Sequence, residues 1–70
     1  MEELLTTPEV AKILHVSPDY VYKLYRAGQL KPVKIGRLKC RRSAVDDFIR
    51  RMEGKDATDP FNIIEWEGGE

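Results

Sequence analysis

Apolar residues recur at helical spacing in three stretches of this 70-residue chain and at alternating spacing in a fourth. Val10, Ile13 and Leu14 form the first helical stripe, Val21, Leu24 and Tyr25 the second, and Val45, Phe48, Ile49 and Met52 the third. Between the second and third, "VKIGRLKCR" alternates aliphatic and cationic side chains with the two-residue period of a strand. The start signals agree with these periods. Thr6 followed by Glu9 is a capping box, Leu5 and Val10 are placed as a hydrophobic staple, and Pro8 occupies a first-turn position where its missing N–H costs nothing. The first helix is expected to run to about Leu14. After the turn "HVS", Ser17 caps a second helix with Pro18 at its first position, and Val16 staples to Val21.

Gly28 ends that helix in the left-handed conformation, and Ser43 is the expected cap of the third. In the alternating stretch, Gly36-Arg37 reads as a two-residue type II′ turn. That turn puts Val33, Ile35, Leu38 and Cys40 on one face of a hairpin. Lys34, Lys39 and Arg41 then lie on the other, with Arg37 at the tip. Cys40 is read as a small core residue, because no His/Asp pair stands near it to make it a nucleophile.

Composition narrows the class. A chain this short forms one small domain with little core, and seldom encloses the walled cleft an enzyme needs. One Cys and one His allow neither an internal disulfide nor a protein-only metal site, so neither a cofactor nor catalysis is expected. Asp46 and Asp47 are sequence neighbours on a helix and point apart, which suits the helix dipole better than acid–base work. No apolar run reaches bilayer length, and Met1 is followed by two glutamates where a signal peptide carries cations. The expected location is cytoplasmic, without a membrane partner.

Formal charge is zero, but it is divided. Residues 1–52 hold eleven cations against six acids, a balance of +5, and residues 53–70 hold one cation against six acids, a balance of −5. Six of the cations fall between Lys31 and Arg42 without an acid among them. A basic body and an acidic tail imply a polyanion-binding surface and a separate segment with another task. On the second helix Asp19, Tyr22, Lys23 and Arg26 share the face opposite the apolar stripe. Such a face by itself is most simply a solvated one. Two short helices joined by three residues, the second carrying aromatic and cationic side chains outward, are the sequence form of a helix-turn-helix.

The stretch "LLTTPEVAKIL–HVSPDYVYKLYRAGQL–KPVKIGRLKCRRSAVDDFI" resembles the excisionase-type winged helix-turn-helix domain, related to the DNA-binding domain of the MerR regulators, over about residues 4–52. The resemblance rests on Leu5-Thr6, Val10-Ala11, Val16-Ser17, Val21-Tyr22-Lys23-Leu24, Gly28-Gln29-Leu30, Ile35-Gly36-Arg37 and the last helix. The chain departs from the family pattern at Tyr20, Tyr25 and Leu38. It implies a mainly α fold of three helices with a small β-hairpin wing, in which the second helix enters the major groove of double-stranded DNA. It also implies a binding surface made of Ser17, Tyr20, Tyr22, Lys23 and Arg26 on the helix, and of Lys34, Arg37, Lys39, Arg41 and Arg42 around the wing. The wing cations then hold phosphates, and Lys23 and Arg26 read bases. His15, in the inter-helix turn, is a cap or a phosphate contact.

Residues 1–54 are thus expected to be the DNA-binding domain and residues 55–70 an acidic C-terminal tail. "FNIIEWE" within the tail leaves three states open: a short strand or turn packed on the body, a segment docking on a partner, or a disordered end. The expected function is that of a DNA-architectural accessory of a phage or mobile element, a recombination directionality factor. Its partners are DNA, an integrase or recombinase met through the tail, and further copies of itself head to tail. A small transcriptional regulator of the same fold, and an interaction module that has lost DNA binding, are the alternatives.

Overall fold

Residues 3–68 are described in the computed structural model. Three helices surround one core, a three-stranded sheet covers it, and a second, smaller hairpin follows. The elements run β1 (Leu4–Thr6), α1 (Thr7–Leu14), α2 (Pro18–Arg26), β2 (Val33–Ile35), β3 (Arg37–Arg41), α3 (Arg42–Met52), β4 (Lys55–Asp56) and β5 (Ile64–Glu65). The arrangement is the mainly α, three-helix winged helix-turn-helix that the sequence predicts. No helix among the described residues is long and apolar enough to cross a membrane.

Local chemistry accounts for the first two helices. Thr6 has extended backbone, and its N–H donates to Glu9 Oε1 at 2.8 Å while Glu9 N–H donates back to Thr6 Oγ1 at 3.3 Å. The chain leaves α1 through His15, which is left-handed at φ 59°. There Val16 N–H reaches back to Ala11 O at 3.0 Å and His15 N–H to Lys12 O at 3.3 Å, so two end carbonyls are satisfied. At the end of α2, Gly28 (φ 79°) plays the same part, with Gln29 N–H on Leu24 O at 3.0 Å and Gly28 N–H on Tyr25 O at 3.1 Å. Leu30 is thereby turned into the core, beside Leu5, Val10, Ala11, Val21, Leu24, Cys40, Val45 and Phe48. Cys40 is fully buried and small, as read.

Four features differ from the sequence expectation. β1 forms an outer strand paired to β3, with Leu5 opposite Cys40, so the wing belongs to a sheet of order β1-β3-β2. Three residues are too few to show a strand period, and Thr6 had already been assigned to the helix cap. Helix α3 starts at Arg42 with Arg41 as its N-cap, and no side chain caps it. β3 runs straight into α3, and Arg42 N–H is bonded to Glu3 O at 3.2 Å, so the sheet sets where the helix begins and Ser43 is already inside it. Ile49, expected in the core stripe, sits at its edge and is 39% exposed.

The fourth difference concerns the wing. Val33 pairs with Lys39, Lys34 with Leu38 and Ile35 with Arg37, about a turn centred on Gly36 alone at φ 71°. A two-residue Gly36-Arg37 turn would have paired Lys34 with Lys39. Partners in an antiparallel ladder share a face, and a shift of one residue exchanges the faces of a strand. The outer face therefore carries Val33, Ile35, Arg37, Lys39 and Arg41, joined by Leu4 opposite Arg41 and Thr6 opposite Lys39. Lys34 lies on the face of Leu38 and Cys40. Its grouping with Lys39 and Arg41 on one face is corrected by this register.

The acidic segment forms its own two-stranded ladder, Lys55 opposite Glu65 and Asp56 opposite Ile64, extended by Trp66 N–H on Gly54 O at 3.1 Å. Asp59 holds the intervening turn through Phe61 N–H at 3.0 Å, and Pro60 is buried. Tyr20 of α2 donates its hydroxyl to Ala57 O, which ties this hairpin to the helix-turn-helix.

Candidate nucleic-acid interface

Helix α2 sorts its side chains by angle. Val21 and Leu24 are fully buried, while Asp19, Tyr22, Lys23 and Arg26 are exposed on the opposite side. Tyr20 and Tyr25 stand at the two boundaries, both half-buried. Tyr25 lies on the side of the wing root; its hydroxyl is buried without a hydrogen-bond partner. Burial raises its pKa, offset in part by the neighbouring Thr7 hydroxyl. Its ring meets Tyr22 edge to face at 6.0 Å, which braces Tyr22 on the outward side. Tyr20 stands on the other boundary and is occupied by Ala57. Burial, and then the nearby carboxylates of Asp56 and Asp59, raise its pKa.

The sequence-derived surface therefore divides by role. Ser17 Oγ accepts from Tyr20 N–H at 3.4 Å and holds the first turn of α2, and the Tyr20 hydroxyl holds the C-terminal hairpin. Tyr22, Lys23 and Arg26 face outward together and contribute nothing to the core. On the wing, Arg37, Lys39 and Arg41 form the central row of the outer face, at the roughly 6.6 Å step of alternate strand residues. Lys39 Nζ also donates to Ile35 O at 3.1 Å. Arg42, at the start of α3, is drawn into an ion pair with Asp46 at 3.2 Å.

Two populations of cations result. Those of α3 are matched by its own carboxylates: Arg42 by Asp46, and Arg51 and Arg50 by Asp47 at 2.9 and 3.5 Å. Arg51 also donates to Gln29 O at 2.9 Å and lies over the Phe48 ring, so it joins α3 to the loop after α2. Among the described residues Lys23, Arg26, Lys31, Lys34 and Arg37 make no ion pair. Apart from Lys12 on α1, the cations without an ion pair among the described residues thus lie on the outward face of α2, the following loop and the wing. The residues that sequence reading left off this surface are Leu4, Val33 and Ile35, exposed by 39%, 38% and 57% beside the wing cations. Only the turn length could have revealed them.

A helix-turn-helix with a three-stranded wing, bearing unpaired cations on its second helix and wing, is a winged helix-turn-helix domain. The chain belongs to the family described as "Helix-turn-helix domain", which it matches over residues 4–53. Over 50 residues, 70% of the chain, it is 40% identical to a "Probable excisionase" of Saccharopolyspora erythraea, and the aligned stretch spans about half (51%) of that relative. No solved structure matches the chain.

Proposed function

We propose that this protein is a sequence-specific, double-stranded-DNA-binding accessory of the excisionase type. The observation that carries this reading is the segregation of charge: α3 pairs its arginines with its own carboxylates, whereas Lys23 and Arg26 of α2 and Arg37 at the wing tip make no ion pair among the described residues. In this reading α2 lies in the major groove. Lys23 and Arg26 donate to base edges, Tyr22 packs on thymine methyls or bonds phosphates, and the wing cations hold the backbone. The decisive experiment is selection from random-sequence duplexes, followed by electrophoretic binding assays at two salt concentrations. A recovered motif bound with strong salt dependence supports the reading, and uniform weak binding to every duplex refutes it.

The finer role is that of a recombination directionality factor acting in the cytoplasm, where the nucleoid is reached directly. Residues 1–54 are the DNA-binding part, and residues 55–70 serve a protein partner such as an integrase. Support for the second half is the hairpin itself, which presents Phe61, Ile64 and Trp66 at 61%, 53% and 52% exposure among carboxylates that phosphates repel. Deleting residues 55–70 is expected to leave DNA affinity unchanged or to raise it, most clearly at low salt. Loss of DNA binding by a folded, truncated protein would place the hairpin in the interface. Single copies offer one helix and one wing, so binding on direct repeats, head to tail and cooperative, completes the reading. Sedimentation of a stable two-fold dimer without DNA would contradict it.

A further inference from the structure

The outer face of the wing is chemically odd for a surface that only holds phosphates. Every residue of β2 is exposed, although two of its three are β-branched aliphatics. Ile35, at the tip, is 57% exposed, directly opposite Arg37 and one step from Lys39. The opposite register would have turned both aliphatics toward Leu38 and Cys40, so their exposure is a product of the turn at Gly36. Among the described residues nothing buries Ile35, and Val33 keeps 38% of its surface open. The cations sharing their face select a polyanion, and a DNA duplex offers apolar surface between its two phosphate rows in the deoxyribose edges of the minor groove and in the faces of its stacked bases. Aliphatic side chains set against phosphates alone would strip water from both without return. Against the C–H edges of deoxyribose and the open edge of a base step, they are matched.

We propose that Ile35 is an apolar wedge: the wing enters the minor groove beside the site of α2, Arg37 and Lys39 hold its two walls, and Ile35 opens one base step. The inference rests on the DNA-binding reading above. A minor groove about 6 Å wide does not admit a two-stranded tip, whose strand axes are about 4.8 Å apart and whose own atoms extend beyond each axis, so entry requires the groove to widen and the duplex to bend away. Apolar wedges at such kinks are aliphatic residues of this kind. The base step opened is then one that unstacks easily, pyrimidine followed by purine, at a position where no polar side chain reads a base. Ile35 is thus a specificity-determining residue that acts through deformability.

The test uses the full chain on its selected duplex, with 2-aminopurine placed in turn at each position of the flank the wing protects in a footprint, and with dyes at the two ends. Binding of the unsubstituted protein is expected to raise 2-aminopurine emission at one step and to shorten the end-to-end distance. Ile35→Ser is expected to abolish both changes and to weaken binding about tenfold, the effect of leaving an aliphatic side chain unburied. The slope of log affinity against log salt stays unchanged, because no cation is lost. Ile35→Leu is expected to restore the emission change. The inference is overturned if Ile35→Ser opens and bends the duplex as before, or if the unsubstituted protein binds tightly without opening any step. Failure to bind any duplex overturns the DNA-binding reading as well, and is told apart by that absence. Circular dichroism of Ile35→Ser checks that the fold persists, as an exposed strand end leads one to expect.

Discussion

Replacing the wing cations one at a time distinguishes the two faces of the ribbon. The ladder places Arg37, Lys39 and Arg41 on the outer face and Lys34 on the inner one. Each phosphate contact contributes about 0.9 to the slope of log affinity against log salt, so three outer contacts give the wing a slope of about −2.7. Raising salt fourfold, from about 50 to 200 mM, then weakens binding through the wing alone by about 40-fold, or about 3.5-fold per contact. Arg37→Ala and Lys39→Ala are each expected to reduce the slope by about 0.9, on specific and non-specific duplexes alike. Lys34→Ala is expected to leave the slope within about 0.3 of its starting value, although it removes the same charge from a neighbouring position. Anisotropy titrations at four salt concentrations supply the slopes. Equal losses for Lys34 and Arg37 would show that net charge, and not the face set by the register, governs the contact. A loss confined to the specific duplex would show that the wing reads bases by hydrogen bonds.

Further outcomes concern α2 and its surroundings. Lys23→Ala or Arg26→Ala should cost about 1–3 kcal/mol on the preferred site and relax selection at one position; an unaltered motif for both would remove them from base reading. Tyr20→Phe deletes the hydrogen bond to Ala57 O, worth about 1 kcal/mol, and is expected to speed hydrogen exchange at the Trp66 amide about fivefold. Because the Tyr20 pKa is raised above its usual 10.0, the bond persists below that pH and is lost as pH climbs through the higher folded value. Alkaline loosening of the hairpin that survives in Tyr20→Phe would refute this. His15→Gly relieves a left-handed, side-chain-bearing residue and should stabilise the fold by about 1 kcal/mol, read as a rise of about 4–8 °C in Tm. The Glu9 carboxyl is held below its usual 4.5 by the Thr6 N–H and hydroxyl, so its contribution is present above that pH and fades as pH falls through the lower folded value. Glu9→Gln should flatten that part of the acid-unfolding profile, and an unchanged profile would deny the capping box any part in it.

Legibility in the sequence followed the range of the determining contacts. The helix-turn-helix was readable because each of its boundaries is set by residues within four positions of it: Thr6 and Glu9, Ser17 and Pro18, Gly28. The outward trio of Tyr22, Lys23 and Arg26 followed from helical angle alone. The faces of the wing were not readable, since Ile35-Gly36-Arg37 accommodates either an odd or an even turn and the choice is made by how β3 pairs with β1 and packs on α1, where Thr7 Oγ1 donates to Leu38 O at 3.4 Å. The start of α3 was misplaced for a related reason, a backbone bond to Glu3 thirty-nine positions earlier. The position of Tyr20 on α2 places it on the expected interface whatever else its hydroxyl does. Its hydroxyl is bonded to a carbonyl thirty-seven residues further on, and no local pattern announces that.

The turn at Gly36 makes the wing a device of parity. Its faces are assigned by which residues pair across it, so one residue inserted after Gly36 exchanges them, with no side chain changed, when the one-residue turn at Gly36 is kept and the inserted residue takes the ladder place opposite Ile35. Val33 and Ile35 would move to the side of Leu38 and Cys40, and Lys34 would join Lys39 and Arg41. A single codon gained or lost at the tip thus converts a mixed aliphatic and cationic surface into a uniformly cationic one, a larger change of chemistry than any one substitution makes. A Cβ placed on Gly36 would meet nothing within 4 Å, so the surroundings of the turn put up little resistance to the change.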